Sequence, residues 1–251
     1  MNAIYLLLFV LFGLLFGSFF NVIGLRVPKK ESIIYPNSHC TNCKHELSWW
    51  ELIPVLSYLF LHGKCRKCRT KISPIYPMME AITGGLFALS YYYLGWEMEL
   101  LAALFFVSLL VIITVSDLEY MIIPDKILIV FLLLFIAIRI FEPLNPWWDS
   151  IVGAVLGFAI LYLLAIVSRG GMGGGDIKLF FVLGIILGTK AIIMTLFFAS
   201  LLGSLVGIIQ MLFHKWKKKT PIPFGPFISI GALLSYFYRD TILEWYIQFL
   251  S

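Results

Sequence analysis

Charge is what this chain of 251 residues has least of: Asp, Glu, Lys and Arg together make up 13% of it, against 61% hydrophobic residues. At a mean hydropathy of +0.94 it has too little polar surface to cover a soluble domain of this size, which excludes that class. A cleaved secretory signal is missing too. The first apolar run, Ala3 to about Ile23, has no basic segment before it and no small-residue cleavage site after it, so it reads as a retained span. No glycine-rich nucleotide fingerprint is present, and no obvious inverted repeat of the kind that secondary transporters carry. Cysteine is scarce, with four residues, all between positions 40 and 68.

What the chain does have is apolar runs, at about 3–24, 78–95, 99–116, 126–142, 150–168, 177–189, 191–212 and 224–242. Roughly 20 apolar residues cross a bilayer. The sixth run is short: about 14 residues rise only about 21 Å, so a re-entrant helix is the alternative there. With eight crossings, one set of loops holds 16 of the 19 Lys and Arg residues, and only Arg139, Lys190 and Arg239 fall near the other side. If the sixth run did not cross, the HKWKKK cluster at 214–219 would change sides. The positive-inside bias therefore favours an all-α polytopic membrane protein with about eight transmembrane helices and both termini outside. The basic balance is accounted for by this topology and by attraction to anionic lipid, and calls for no nucleic acid.

Three parts follow: a first transmembrane helix over 1–25, a small cytoplasmic domain over 26–77, and a membrane domain over 78–251. The middle part holds CTNC (Cys40, Cys43) and CRKC (Cys65, Cys68), separated by 21 residues. That spacing matches a zinc ribbon, in which two knuckles complete one tetrahedron of thiolates. The alternatives are disulfides, which a reducing cytosol disfavours, and free thiols. Four Cys close the site, so the metal is expected to be structural, stapling a segment too small to build much core. His39, His45 and His62 lie nearby and read as solvated loop histidines or spare ligands.

Gly13, Gly17 and Asn21 recur every four residues on one face of the first run, a pattern for close helix approach with an amide bond across the gap. Asn21 could also border a site at the inner membrane boundary. Glu80 opens the second run, as a first-turn charge or as a polar group aimed at the cytoplasmic domain.

Three acidic residues are expected at the inner face: Asp117 at the end of the third run, Asp125 before the fourth, Asp176 before the sixth. Asp125 reads as an N-cap. Asp176 follows five glycines, in the run GGMGGGDIKLFFVLG that begins at Gly170. It too could cap, but a cap does not need so many glycines, each costly to order; they imply tight backbone approach or required mobility. Asp117 faces the negative end of a helix dipole, where nothing structural recommends it, and ionisable groups in membrane segments are functional hypotheses by default. Two carboxylates sharing a site can act as general acid and general base on one water. The dipoles favour the anion at Asp176 and the neutral acid at Asp117.

At these residues the chain resembles the bacterial type IV prepilin peptidase and N-methyltransferase family, GxGD-type intramembrane aspartic proteases. GSFFNVIGLRVP, the two CxxC pairs with the intervening segment, DLEYMIIPD, GMGGGDIKL and PFGPF resemble its successive motifs. The resemblance implies cleavage of the short basic leader of type IV prepilins or pseudopilins after a glycine, at the cytoplasmic face of the bacterial inner membrane. It also implies N-methylation of the new terminus with S-adenosylmethionine. Its catalytic pair carries over to Asp117 and Asp176, with Asp125, Gly173 and Gly175 in support. The glycines would let a substrate strand lie beside Asp176, and the apolar helix behind it would line a cavity for the hydrophobic pilin helix. A methyl-donor cleft is expected at Asn21, Arg26 and Glu80. Thr41 stands where the family often has proline, and Ile75 where it often has a basic residue. The rival readings are a secondary transporter with a zinc-bearing loop and a scaffold that docks partners through that loop. Neither explains the glycine-rich approach to Asp176.

Overall fold

The computed structural model describes residues 2–168, 171–213 and 222–250. Arg169 and the basic cluster at 214–219, on which part of the charge asymmetry rests, lie outside the described residues. Among the described residues the regular structure is helical: α1 (Ala3–Arg26), a 3-10 turn (Trp49–Leu52), α2 (Leu56–Phe60), α3 (Ile75–Leu94), α4 (Met98–Tyr120), α5 (Asp125–Phe141), α6 (Asp149–Val167), α7 (Gly174–Phe213) and α8 (Gly225–Leu250). Among the described residues, β pairing is limited to two isolated bridges, His39 with Glu46 and Lys64 with Lys71. The chain forms two compact units, Met1–Glu119 and Tyr120–Ser251.

Among the described residues, four helices are long and apolar enough to cross a membrane: α1, α4, α6 and α7. The expected runs all lie on helices, but they divide differently. The sixth and seventh are one element, α7, broken at Gly188 (φ 74°, ψ −178°). α5 has 17 residues, about 26 Å of rise. α3 is diluted by Glu80, Thr83, Ser90 and tyrosines.

In the first unit, α1 and α3 meet along the small-residue face anticipated for α1. A Cβ at Gly13 would come within 2.7 Å of the Gly84 Cα, and one at Gly17 within 2.9 Å of the Glu80 Cα. Gly24 continues the stripe against α4, where a Cβ would meet Val115 at 2.8 Å. Such approach replaces hydrophobic driving force with packing, as helix association in lipid requires. At the end of this pair remote from the 26–77 segment, Tyr5, Phe9, Tyr91 and Trp96 form an aromatic cluster with centroid separations of 4.8–6.0 Å.

In the second unit, α6 and α7 touch backbone to backbone: a Cβ at Gly153 would lie 2.6 Å from the Gly184 carbonyl, and one at Gly157 2.8 Å from that of Phe180. α8 joins α7 through Gly231, whose Cβ would meet the Thr195 carbonyl at 2.7 Å. The break in α7 frees backbone groups that buried Arg139 and half-buried Asp149 recover. Arg139 Nη2 donates to the Ile186 carbonyl at 2.7 Å, and the Thr189 N–H donates to Asp149 Oδ1 at 3.2 Å.

Candidate functional site

The cysteine segment folds as two near-identical knuckles. In each, the first Cys N–H bonds a carbonyl five residues on, Cys40 to His45 and Cys65 to Thr70, both at 2.9 Å. In each, the residue after the second Cys is left-handed, Lys44 at φ 57° and Arg69 at φ 60°. The four Sγ atoms lie within 4.8 Å of one another and can hold a metal ion. The Thr70 hydroxyl and amide beside Cys68 draw its thiol down to about 5. At Cys43 the His45 amide pulls the other way, but lost hydration and the neighbouring thiols prevail and push it up to about 11.

His45 is not a free loop histidine: its Nε2 lies 3.3 Å from Glu51 Oε2. Glu51 is buried, and its carboxylate also accepts the Ser48 N–H at 2.9 Å. Burial alone would raise it; the Ser48 backbone and hydroxyl bonds and His45 hold the carboxyl below its ordinary value. Sequence reasoning passed over Glu51, although the Ser48–Glu51 spacing is that of a capping box. His62 is exposed with φ 52°, and His39 Nδ1 lies 2.9 Å from the Asn37 carbonyl.

Glu80 is not in the first turn of its helix, since α3 begins at Ile75. It is buried, the Ser18 hydroxyl of α1 lies beside it, and its Oε2 accepts the Val55 N–H at 2.7 Å. It therefore reaches back into the 26–77 segment. One turn along the α1–α3 contact, Asn21 Nδ2 donates to the Tyr76 carbonyl at 3.1 Å, while its Oδ1 is buried with no hydrogen-bond partner. Arg26 Nη1 donates to the Ser32 carbonyl at 3.0 Å.

Asp117 is buried in the last turn of α4, which continues through Glu119 to Tyr120. Asp176 is buried at the third position of α7, favourable for an anion there. It does not cap the helix, which starts at Gly174. Its Oδ2 lies so near Gly173 that a Cβ there would sit 3.0 Å away. None of the described glycines of this run has a positive φ. Gly175 has a packing reason, since its Cβ would meet the Ile123 Cβ at 2.8 Å, whereas Gly174 faces open space. Asp176 shares its stripe of α7 with Leu179, Phe180 and Leu183, all buried.

Asp125 is not a cap either. It is the first residue of α5, and the N-cap position is held by Pro124. Both its carboxylate oxygens accept from Lys178 Nζ at 2.8 Å. Asp125 and Lys178 stand at one end of an apolar groove of about 440 Å³, walled by Leu128, Ile129, Leu132, Phe158, Phe181 and Val182. The groove opens from the side of α7 opposite Asp176, so it is not a cavity directly behind that residue.

Residues 11–94 match the family described as Bacterial Peptidase A24 N-terminal domain, and residues 104–208 match the Type IV leader peptidase family. The chain is 44% identical over 238 residues to a prepilin leader peptidase/N-methyltransferase of Bacillus subtilis (strain 168), covering 95% of this chain and 96% of that one. It is 33% identical to the protein of that description from Aeromonas salmonicida (strain A449), over 98% and 94% of the two chains. To the one from Pseudomonas aeruginosa it is 31% identical, over 96% and 92%. No solved structure matches. The chain belongs to the type IV leader peptidase family.

Proposed function

We propose that this protein is an inner-membrane peptidase that removes the leader of type IV prepilins or pilin-like proteins after a glycine, at the cytoplasmic face, and then N-methylates the new terminus. One observation carries the reading within the family: of the three aspartates singled out, Asp117 and Asp176 are buried in membrane helices, while Asp125 is exposed and ion-paired. In the reaction, the ionised aspartate takes a proton from water as its oxygen attacks the scissile carbonyl. The protonated one donates to the carbonyl oxygen; when the C–N bond breaks, the leaving amine takes up a proton. Asp176, at a helix N-terminus, suits the anionic role and Asp117 the acid. Gly174, which faces open space, leaves room for the substrate strand. The helices are assigned to eight crossings with both termini outside.

The cysteine site is assigned to structural zinc. A tetrahedron with arms of ~2.3 Å has edges of about 3.8 Å, and the Cys40–Cys68 and Cys43–Cys65 Sγ pairs are 3.7 and 3.9 Å apart. For methyl transfer, S-adenosylmethionine supplies the electrophilic methyl group. The residues fit such a ligand: the unpartnered Asn21 Oδ1 and the Glu80 carboxylate present acceptors to a cationic donor, with Arg26 at the same boundary.

Purified protein incubated with a synthetic prepilin, with and without S-adenosylmethionine, and weighed by mass spectrometry tests both steps. Cleavage without added methyl at saturating donor reduces the assignment to a peptidase. Ion flux in liposomes with no cleavage replaces it with the transporter reading.

A further inference from the structure

The 26–77 segment carries an apolar surface that the knuckles do not use. Trp49 is 79% exposed and Phe60 76%, and Leu52, Ile53, Leu56 and Leu59 between them are exposed as well. Spacing of three or four puts Trp49 with Leu52 on one side of the 3-10 turn, and Leu56 with Leu59 and Phe60 on one side of α2, and the two elements pack against each other. Glu51 and Pro54 are buried beneath. In water such a ridge would be an interaction site or an aggregation liability.

Two further observations say what covers it. Both ends of the segment run into helices: Arg26 ends α1, which is long and apolar enough to cross a membrane, and Ile75 begins α3, packed against it. The flank is cationic, with Lys64, Arg66, Lys67, Arg69 and Lys71 all exposed, and the Arg66 guanidinium 4.8 Å from the centroid of the Trp50 ring. Of the segment's three acidic residues, Glu51 is buried against His45, leaving Glu31 and Glu46 exposed.

We infer that this ridge is a membrane-docking surface, with Trp49, Leu52, Leu56, Leu59 and Phe60 entering the headgroup region of the bilayer and the 64–71 cations binding anionic lipid. An apolar edge rimmed by Lys and Arg is how interfacial elements bind anionic membranes, and Trp settles at that depth. Val55 lies in the middle of the ridge and is bonded to Glu80 of α3. That bond fixes how far down α3 the ridge sits. Docking rests on α1 and α3 crossing the bilayer, not on the chemistry of the aspartates, so a failed cleavage assay would leave it standing.

The test uses the full-length protein in nanodiscs of phosphatidylcholine and phosphatidylglycerol, with acyl chains either ordinary or brominated near the headgroup. Tryptophan emission is compared between the wild type and Trp49→Phe. Docking is expected to appear as emission lost to brominated lipid in the wild type but not in Trp49→Phe, with that same component shielded from aqueous iodide. It is also expected to weaken in phosphatidylcholine-only discs and in high salt. Trp49 emission open to iodide and untouched by brominated lipid would overturn the proposal by placing the ridge in water. Protection from both quenchers would overturn it by placing protein there, a second copy if the discs hold two chains. Equal lipid quenching with and without phosphatidylglycerol would overturn the role of the cations.

Discussion

The Val55 backbone N–H donates to Glu80 Oε2 at 2.7 Å, and Val55 itself is the centre of a γ-turn, with φ 61° and ψ −50° and the Leu56 N–H 2.6 Å from the Pro54 carbonyl. This form of γ-turn is rare and strained, more so for a β-branched residue. A buried carboxylate on α3 thus holds a strained turn of the 26–77 segment. Glu80→Ala is expected to cost about 1–3 kcal/mol by removing the acceptor, read as faster proteolysis within residues 26–77 and a lower Tm. Glu80→Gln keeps an acceptor and should lose less, while weakening S-adenosylmethionine binding in equilibrium dialysis. Unchanged proteolysis in Glu80→Ala would show that the latch does not hold the turn.

Asp117→Asn and Asp176→Asn each preserve shape and remove the ionisable group. Either alone should abolish prepilin cleavage, because acid and base act as one unit and such losses do not add. Asp125→Asn should cost far less, though not because Asn caps a helix. It breaks an ion pair whose side chains are 58% and 56% exposed, and exposed pairs contribute roughly 0–1 kcal/mol, within about tenfold in rate. Near wild-type turnover in either dyad variant would move the assignment to Asp125.

About one zinc per chain is expected by metal analysis, as for a closed four-thiolate site. Cys65 is the most buried of the four, and Cys65→Ser should release the metal and reduce methyl transfer more than cleavage. Chelators should not inhibit cleavage directly. In metal-free protein at pH 7, alkylation mass spectrometry should find Cys68 modified before Cys43, following thiols at about 5 and about 11. Four thiols alkylated at one rate in untreated protein, with no metal present, would rule the site out.

Glu51 predicts a pH dependence. Its carboxyl is held below the ordinary 4.5 in the folded segment, so ionised Glu51 contributes stability that is present above that value and lost as pH falls through the folded one. Protease resistance of residues 26–77 should therefore drop on acidification in the wild type, and the drop should be shallower in Glu51→Gln. Parallel profiles would remove Glu51 as the source.

Gly188 allows no side chain: at φ 74° a Cβ would overlap the Asp149 carboxylate. Gly188→Ala should destabilise by at least about 1–3 kcal/mol from the backbone alone, because φ 74° with ψ −178° is a region only glycine adopts readily, with the Thr189–Asp149 bond lost as well. Arg139→Met should cost about 1–3 kcal/mol by leaving the Ile186 carbonyl unsatisfied. Thermal unfolding in detergent checks both, and a Tm equal to wild type in Gly188→Ala would mean the break relaxes into continuous helix.

Sequence by itself determined the helical membrane class, the two cysteine knuckles and the Gly13–Gly17–Asn21 face, because each is written in local periodicity: apolar runs, a C-x-x-C turn, small residues every four positions. It also singled out Asp117 and Asp176, since scarcity makes a carboxylate in an apolar helix conspicuous. Tertiary structure alone decided how other groups pair. Asp125 looked like a cap because it precedes an apolar run, yet it reaches Lys178, 53 residues away. For Glu80 two readings stood, a first-turn charge or a polar group aimed at the 26–77 segment, and the bond to Val55 selects the second; Gly175 is small because Ile123 presses on it. The charges flanking the α7 break, Arg139 and Asp149, carry no local signal, because the backbone groups they satisfy are freed only when Gly188 departs from the helix. Partners brought together by packing leave no spacing rule in the chain, and the chemistry of a membrane site depends on those partners because lipid offers no water in their place.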